Sequence, residues 1–173
     1  MSATDTSPAW RLLLIGAGDV ARELAELAPR LGFVVSVCEP RAERRAAWPV
    51  PAEPWLDHDP TEALRQFAPD IYSAVVALAH VPAIDDAALI AALPSPAFYV
   101  GAIGSRANAG ARLARLSDAG IIEADCLRLK APIGLPIGSR SPAEIAIAIL
   151  AELIDERRHH AATTGPQCVA AVS

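Results

Sequence analysis

A glycine-rich turn between an apolar run and an amphipathic segment constrains the fold of this chain more than any other feature. Residues 11–15 lead into Gly16-Ala17-Gly18-Asp19-Val20-Ala21, which matches the pattern G-x-G-x-x-A, and apolar residues then recur at helical spacing. Between a strand and a helix, the first glycine permits a tight turn and the second lets the backbone approach a phosphate. Unpaired N–H groups at the helix start would face that anion. The turn therefore predicts the first unit of a nucleotide-binding α/β fold.

The rest of the sequence alternates between short apolar runs and amphipathic segments. Strands are predicted over residues 11–15, 33–38, 71–78, 97–100 and 126–129. Helices are predicted over residues 19–31, 61–67, 84–93, 106–119 and 142 to about 158. This alternation predicts a Rossmann-like three-layer sandwich, an α/β fold with a mainly parallel sheet. In the usual strand order of that fold, 3-2-1-4-5-6, strands 1 and 4 are neighbours, so residues 101–106 would face the glycine turn.

One domain is expected to account for most of the chain. Residues 1–10 are predicted to be an N-terminal extension, residues 11–158 the Rossmann-type domain, and residues 159–173 a flexible tail without periodicity. The prolines between residues 40 and 60 permit at most a short helix near residues 42–47. Two tryptophans in this crossover, Trp48 and Trp55, are predicted to pack on the core.

Composition excludes several classes of protein. The chain of 173 residues is 53% hydrophobic and carries a net charge of −5, so nucleic acid and anionic membranes are poor partners. Its three scattered cysteines form no CxxC motif, which argues against a disulfide framework or a metal cluster. Neither a signal peptide nor an apolar run long enough to span a membrane is evident. The sequence thus favours a cytoplasmic protein without a metal site.

Residues in and after the glycine turn are candidate cofactor contacts. Glu39 ends the second predicted strand, where an acid would accept hydrogen bonds from ribose hydroxyls, whereas Arg41 could meet a 2′-phosphate. The choice between NAD and NADP therefore stays open, and both residues could equally be solvated loop charges. Asp19 is unfavourable beside a phosphate unless it caps the helix or turns aside. The candidate residues of this region are Gly16, Ala17, Gly18, Asp19, Val20, Glu39 and Arg41.

Two identical Gly-Ser-Arg turns and one histidine extend the candidate site. Gly104-Ser105-Arg106 follows the fourth strand, and Gly138-Ser139-Arg140 precedes a predicted capping box at residues 141–144. Each turn supplies groups that suit an anion, although turn formation and capping alone would explain them. We expect at least one of the two arginines to contact a ligand. His80, at the end of the third strand, is a candidate acid/base or cofactor contact, or else a loop histidine bonded to the backbone.

Three stretches resemble the C-terminal Rossmann domain of the XdhC/CoxI family. They are residues 11–41, the sequence FYVGAIGSR at residues 98–106, and the sequence APIGLPIG at residues 131–138 followed by SPAEIA at residues 141–146. The last stretch is the most specific, because a Rossmann fold in general does not require it. The resemblance covers residues 11–158.

The resemblance implies a function. Members of that family are accessory proteins of xanthine dehydrogenase and related molybdenum hydroxylases, which bind molybdenum cofactor and pass it to the apoenzyme. This chain would then be a non-enzymatic maturation factor that holds molybdopterin or its nucleotide form, with the hydroxylase apoenzyme as partner. Typical members carry an N-terminal domain, which a separate chain could supply here, and a homodimer is also compatible with the sequence. Two alternatives stay open: an NAD(P)-binding regulatory module and a small NAD(P)-dependent oxidoreductase.

Overall fold

Five parallel strands form the central sheet of the computed structural model, which describes residues 9–50 and 55–164. The strands are β1 (Trp10–Ile15), β2 (Phe33–Cys38), β3 (Ser73–Ala77), β4 (Tyr99–Ala102) and β5 (Leu129–Lys130). Every neighbouring pair is parallel, and the order across the sheet is β2-β1-β3-β4-β5. Helices cover both faces, which confirms the Rossmann-like α/β class.

The position of β3 corrects the predicted strand order. Leu14 of β1 lies opposite Val37 of β2 on one side and Val76 of β3 on the other. Strands 1 and 4 are therefore not neighbours, because the chain leaving β2 returns to the free side of β1 before β4 is added. In this order the ligand crevice is expected between β1 and β3, where the direction of winding reverses. The loop after β3, which carries His80, consequently separates the glycine turn from the loop after β4.

Seven α-helices connect or follow the strands within the described residues. They are α1 (Asp19–Leu27), α2 (Ala42–Ala46), α3 (Pro60–Phe67), α4 (Pro82–Ala92), α5 (Arg106–Asp118), α6 (Glu123–Cys126) and α7 (Pro142–Thr164). A 3₁₀ turn (Ala28–Leu31) extends α1 and ends at Gly32 with φ +84°. The predicted strand over 126–129 is wrong, since α6 occupies its start and β5 begins at Leu129.

Both faces of the sheet are buried, as a parallel sheet requires. Along β1, Leu12 and Leu14 belong to a core with α1 and α7, whereas Leu13 and Ile15 belong to a core with α3 and α4. All four of these side chains are inaccessible to solvent. The continuous apolar run that the sequence shows in β1 therefore results from burial on both sides.

Helix α7 extends to Thr164, beyond its predicted end near residue 158. The added turn is held by packing, because the His160 ring lies 5.8 Å from Phe98 and 6.2 Å from Trp10 between ring centroids. Arg157 lies 4.8 Å above the Phe33 ring and donates to the Leu31 carbonyl at 2.8 Å. Residues 165–173 of the predicted tail and residues 1–8 of the predicted extension lie outside the described residues.

The segment with the sequence APIGLPIG lies along α7. Gly134 has φ +93°, and a Cβ there would come within 3.1 Å of the Ile149 nitrogen. Its N–H donates to Glu152 at 2.8 Å, and the Leu135 N–H donates to the Ala148 carbonyl at 3.1 Å. These contacts bring the start of α7 to the carboxyl edge of the sheet. None of the helices in residues 9–50 and 55–164 combines the length and hydropathy of a membrane span.

Candidate functional site

The two glycines of the turn have different structural tasks. Gly16 has φ +104°, and a Cβ there would lie 2.7 Å from the Ala79 backbone, so the turn packs tightly against the loop after β3. Gly18 precedes α1 with φ −92° and ψ −176°, a backbone that any residue can adopt. A Cβ at Gly18 would meet only Nη1 of Arg44, at 3.7 Å. Packing therefore requires Gly16, whereas Gly18 leaves open space beside an arginine.

Glu39 fixes the glycine turn from behind and is fully buried. Its Oε2 accepts the Ala17 N–H at 2.7 Å and Arg41 Nη2 at 2.8 Å. Its Oε1 accepts the Arg41 N–H at 2.9 Å and Nε at 2.7 Å. Burial alone would raise the pKa of Glu39, but these hydrogen bonds outweigh it and hold the pKa below its usual value. All four acceptor positions of the carboxylate are thus occupied by this chain, and none is left for a ribose hydroxyl in this arrangement.

A second buried carboxylate holds the loop that carries His80. The Ala79 N–H donates to Asp85 Oδ1 at 2.9 Å, and Asp85 is fully buried in the first turn of α4. Within the described residues, Asp85 Oδ2 has no hydrogen-bond partner and lies 3.7 Å from Arg112 Nη2. Burial raises the pKa of Asp85. His80 itself is exposed with φ +58°, a conformation uncommon for a residue with a side chain.

A crevice of about 440 Å³ opens at the carboxyl edge of β1 and β3. It combines the glycine turn, the loop after β3, the loop after β4 and the start of α7. Its walls are formed by Gly18, Asp19, Val20, Ala21, Arg44, Leu78, Ala79, His80, Ile103, Arg140, Pro142 and Ile145. Two guanidinium groups from separate elements, Arg44 and Arg140, therefore face the space next to the N-terminus of α1.

Five of the predicted site residues line this crevice: Gly18, Asp19, Val20, His80 and Arg140. Asp19 turns aside, with 74% of its side chain exposed and Arg22 Nη1 at 3.9 Å. Ala17 lines a neighbouring cavity of about 390 Å³ beside α2, and Gly104 lines one of about 320 Å³ beside α5. Gly16, Glu39 and Arg41 support the turn from behind. Ser105, Arg106, Gly138 and Ser139 do not belong to the walls of these three cavities.

The two Gly-Ser-Arg turns stand in different register to the helices that follow them. Ser105 immediately precedes α5, and Arg106 is the first residue of that helix. The second turn ends one residue earlier, because Ser141 precedes α7. Ser141 Oγ accepts the Glu144 N–H at 3.3 Å, and Glu144 accepts the N–H groups of Ser141 and Arg140 at 2.9 and 2.8 Å. The predicted capping box is confirmed, and it anchors the backbone of the arginine that reaches the crevice.

Sequence reasoning missed three residues of these cavities. Arg44 belongs to the short helix α2, which a row of charged residues marks in the sequence without indicating where they point. Trp48 is half-buried and touches the core as predicted, yet it also lines the cavity beside α2. Arg112 lies behind His80 in α5 and donates to the Ile103 carbonyl at 2.9 Å. Within residues 9–50 and 55–164, no group of three or more His, Cys, Asp or Glu side chains is arranged to hold a metal ion.

A family model described as the XdhC Rossmann domain matches residues 12–153 of the chain. The chain belongs to the XdhC Rossmann domain family. This confirms the resemblance found in the sequence, and the match includes the glycine turn, His80 and the segment along α7.

Relatives of this XdhC Rossmann domain carry names from molybdenum enzymology. It is 32% identical to a probable xanthine dehydrogenase component from Bacillus subtilis, over 87% of the chain and 44% of that protein. It is 26% identical to the molybdenum cofactor insertion chaperone PaoD of Escherichia coli, over 88% of the chain and 42% of that protein. It is 33% identical to the uncharacterized protein YqeB of Escherichia coli, over 86% of the chain and 28% of that protein.

A crystal structure described as a xanthine dehydrogenase from Bacillus halodurans superimposes with a TM-score of 0.76 at 29% identity. The alignment covers 92% of this chain and 46% of that one. The chain thus spans less than half the length of each of these relatives.

Proposed function

We propose that this XdhC Rossmann domain holds the molybdenum cofactor in the 440 Å³ crevice and acts as an accessory factor in the maturation of a xanthine dehydrogenase-like molybdenum hydroxylase. The observation that carries the proposal is the convergence of Arg44 and Arg140 on the N-terminus of α1 at Gly18. The names of the relatives, one of them a molybdenum cofactor insertion chaperone, favour this cofactor over other phosphate-bearing ligands.

The donors at this point suit the phosphate group of molybdopterin. The first N–H groups of a helix have no partner within the helix, and they carry the positive end of its dipole. In α1 the Ala17 N–H is already taken by Glu39, so the N–H groups that follow it are the ones a phosphate would meet. A guanidinium adds charge-assisted hydrogen bonds to such a contact. The chain therefore supplies an anion site assembled from backbone and two arginines.

The titratable groups of the crevice favour binding over turnover. Among the described residues on its walls, the side chains that titrate between pH 3 and 8 are Asp19 and His80. The buried carboxylates Glu39 and Asp85 hold backbone N–H groups of the protein instead. A catalytic site ordinarily pairs a nucleophile or base with a group that orients it. The crevice thus fits a protein that carries a cofactor and passes it to an apoenzyme.

The test is cofactor retention by the purified domain. The domain is produced in cells that synthesise molybdenum cofactor, and the molybdenum and pterin bound per protein are measured under anaerobic conditions. We expect the wild-type domain to retain molybdopterin and Gly18→Val to lose at least 100-fold in affinity, because the new side chain would occupy the space beside Arg44. Gly110→Ala is the matched control, since a Cβ at Gly110 in α5 meets nothing within 4 Å.

Two results would contradict the proposal. One is a wild-type domain that binds no form of molybdopterin, either alone or with a hydroxylase apoenzyme. The other is a folded Gly18→Val variant that binds the cofactor as tightly as Gly110→Ala does. The backbone angles of Gly18 allow a side chain, so loss of folding is not expected to confuse this comparison.

An NAD(P)-binding regulatory module is the second candidate function. The match to G-x-G-x-x-A and the crevice between β1 and β3 favour it, because dinucleotide-binding folds place their ligand there. Titration with NAD and NADP would reveal it, and a change in nicotinamide absorbance with carbonyl substrates would reveal an oxidoreductase. Tight NAD binding together with no molybdopterin binding would replace the first proposal by this one.

A further inference from the structure

Two cavities flank Gly18, one on each side. The first is the crevice of about 440 Å³, and the second, of about 390 Å³, lies between the start of α1 and the segment that contains α2. Gly18, Asp19 and Arg44 belong to the walls of both. We propose that the second cavity is a nucleoside subsite, so that the ligand of this domain is a dinucleotide whose pyrophosphate crosses Gly18. This inference rests on the proposed function and specifies the form of the cofactor.

The junction between the cavities suits a pyrophosphate. Arg44 Nη1 lies 3.7 Å from the position that a Cβ of Gly18 would take, so the guanidinium lies across the space above the backbone. Arg22, from the first turn of α1, adds a second positive charge on the wall of the second cavity. A ligand with one phosphate would use the N–H groups at the helix start, and a second phosphate would meet these arginines.

The second cavity has an aromatic wall. Trp48 is half-buried there, and its ring meets the ring of Trp55 edge-on at 5.8 Å between centroids. The Arg45 guanidinium lies 5.1 Å above the Trp55 ring, so the aromatic pair is held from the outside. A bound base can stack on a tryptophan face, and such contacts tolerate different bases. Aromatic surface next to a phosphate site is what a nucleoside requires.

A buried donor at this wall is an independent observation. Within the described residues, Trp48 Nε1 is buried and has no hydrogen-bond acceptor. Buried N–H groups without an acceptor are rare in folded proteins because leaving them unpaired costs about 1–3 kcal/mol. An acceptor on a base or sugar would pair this N–H after a small rotation of the ring.

The arrangement of Glu39 predicts how the sugar is treated. In many dinucleotide-binding folds an acid at the end of the second strand accepts the ribose hydroxyls. Here that carboxylate is fully buried and its oxygens accept from Ala17 and Arg41. The sugar would therefore be held through its base and its phosphates. We expect a nucleoside diphosphate and its 2′-deoxy form to bind equally well.

The test uses CDP, ADP, dADP and inorganic pyrophosphate as probes in calorimetric titrations of the wild-type domain. We expect CDP or ADP to bind at least tenfold more tightly than pyrophosphate, and dADP to match ADP within about twofold. Trp48→Leu is expected to weaken the nucleotide about tenfold, as the loss of a stacking face does, and to leave pyrophosphate unchanged. Ile145→Ala is the matched control, because Ile145 belongs to the first cavity only and should affect neither probe.

A second variant covers the case in which Trp48→Leu does not fold. Ala47 is exposed on the wall of the second cavity, so Ala47→Glu adds a carboxylate there without disturbing the core. It should also remove the preference for nucleotide over pyrophosphate. The inference is overturned if CDP and ADP bind no more tightly than pyrophosphate, or if Trp48→Leu and Ile145→Ala weaken them equally.

The form of the retained cofactor separates this inference from the proposed function. A domain saturated by molybdopterin without a nucleotide, with no gain from the nucleotide form, overturns the nucleoside subsite and leaves the proposed function intact. Binding of NAD through Trp48, with no binding of any molybdopterin, overturns the proposed function and supports the subsite. Tighter retention of a molybdopterin dinucleotide than of molybdopterin supports both.

Discussion

The two walls of the crevice are each held by a buried carboxylate, and the two carboxylates differ in how their charge is balanced. Glu39 fixes the glycine turn through the Ala17 N–H, and Asp85 fixes the loop after β3 through the Ala79 N–H. Both side chains are fully buried. Arg41 contacts both oxygens of Glu39 at 2.7 and 2.8 Å, whereas Arg112 stays 3.7 Å from Asp85.

This difference shows that burial does not by itself decide the protonation of an acid. Burial raises the pKa of both groups, but short hydrogen bonds from Arg41 and Ala17 lower the pKa of Glu39 overall. Asp85 has one such bond, and its pKa stays raised. The wall with the glycine turn is therefore held by a charged group at neutral pH, and a bidentate guanidinium is the cause.

Removing the guanidinium from the charged wall should have the largest effect. Arg41→Ala leaves Glu39 buried without its counter-ion, which is expected to reduce the free energy of unfolding by about 3 kcal/mol. Urea unfolding monitored by circular dichroism measures it. Arg44→Ala, an exposed arginine three residues further along, is the control and should leave stability unchanged. Equal stabilities of the two variants would show that the Glu39–Arg41 pair does not hold the turn.

The dependence of stability on pH should separate the two walls. Because the pKa of Glu39 is lowered by folding, its contribution is present above its unfolded-state pKa and is lost as pH falls through the folded-state value. Because the pKa of Asp85 is raised, its contribution is present at low pH and is lost as pH rises through its folded-state value.

Glu39→Gln should therefore flatten the loss of stability between about pH 5 and pH 3, and Asp85→Asn should not. Unfolding free energies of both variants and the wild type, measured across this range, provide the comparison. Asp70, Glu62 and Glu144 also have lowered pKa values, but they remain in every protein compared and cancel in the differences. Parallel curves for Glu39→Gln and the wild type would contradict the assignment.

Replacing the acid of the other wall should have the smallest effect. Asp85→Asn keeps an oxygen that can accept the Ala79 N–H and removes a poorly balanced charge, so stability at neutral pH should change by less than about 1 kcal/mol. Asp85→Leu is the contrasting variant, because it leaves that N–H unpaired and should cost about 1–3 kcal/mol. If the two variants lose the same stability, the hydrogen bond to Ala79 is not what Asp85 contributes.

Local sequence patterns predicted the elements better than their arrangement. The glycine turn and the alternating apolar runs indicated the α/β class and the capping box at Ser141. The order of strands depends on which side of β1 the chain takes after the proline-rich crossover, and no local pattern in that crossover encodes the choice. The end of α7 was similarly hidden, because contacts of His160 with Phe98 and Trp10 come from distant parts of the chain.

Residues that line the crevice could be predicted only where a motif places them. Gly18 and Arg140 follow from their positions before helices, and their contact with a ligand remains a prediction. The two Gly-Ser-Arg turns could not be told apart, since a shift of one residue relative to the helix start decides which arginine reaches the crevice. Glu39 showed why a motif position is insufficient, because Arg41, two residues away, occupies the oxygens that a ribose would need.

Ala79 is the residue at which the two walls of the crevice meet. Its backbone fills the space left by the missing side chain of Gly16, its N–H is held by Asp85, and its carbonyl accepts Arg41 Nη1 at 3.4 Å. Three contacts on one residue give the walls no independent hinge at this point. A ligand would therefore enter a slot that is already shaped, with little ordering entropy to lose and no loop closure to slow its arrival or its departure.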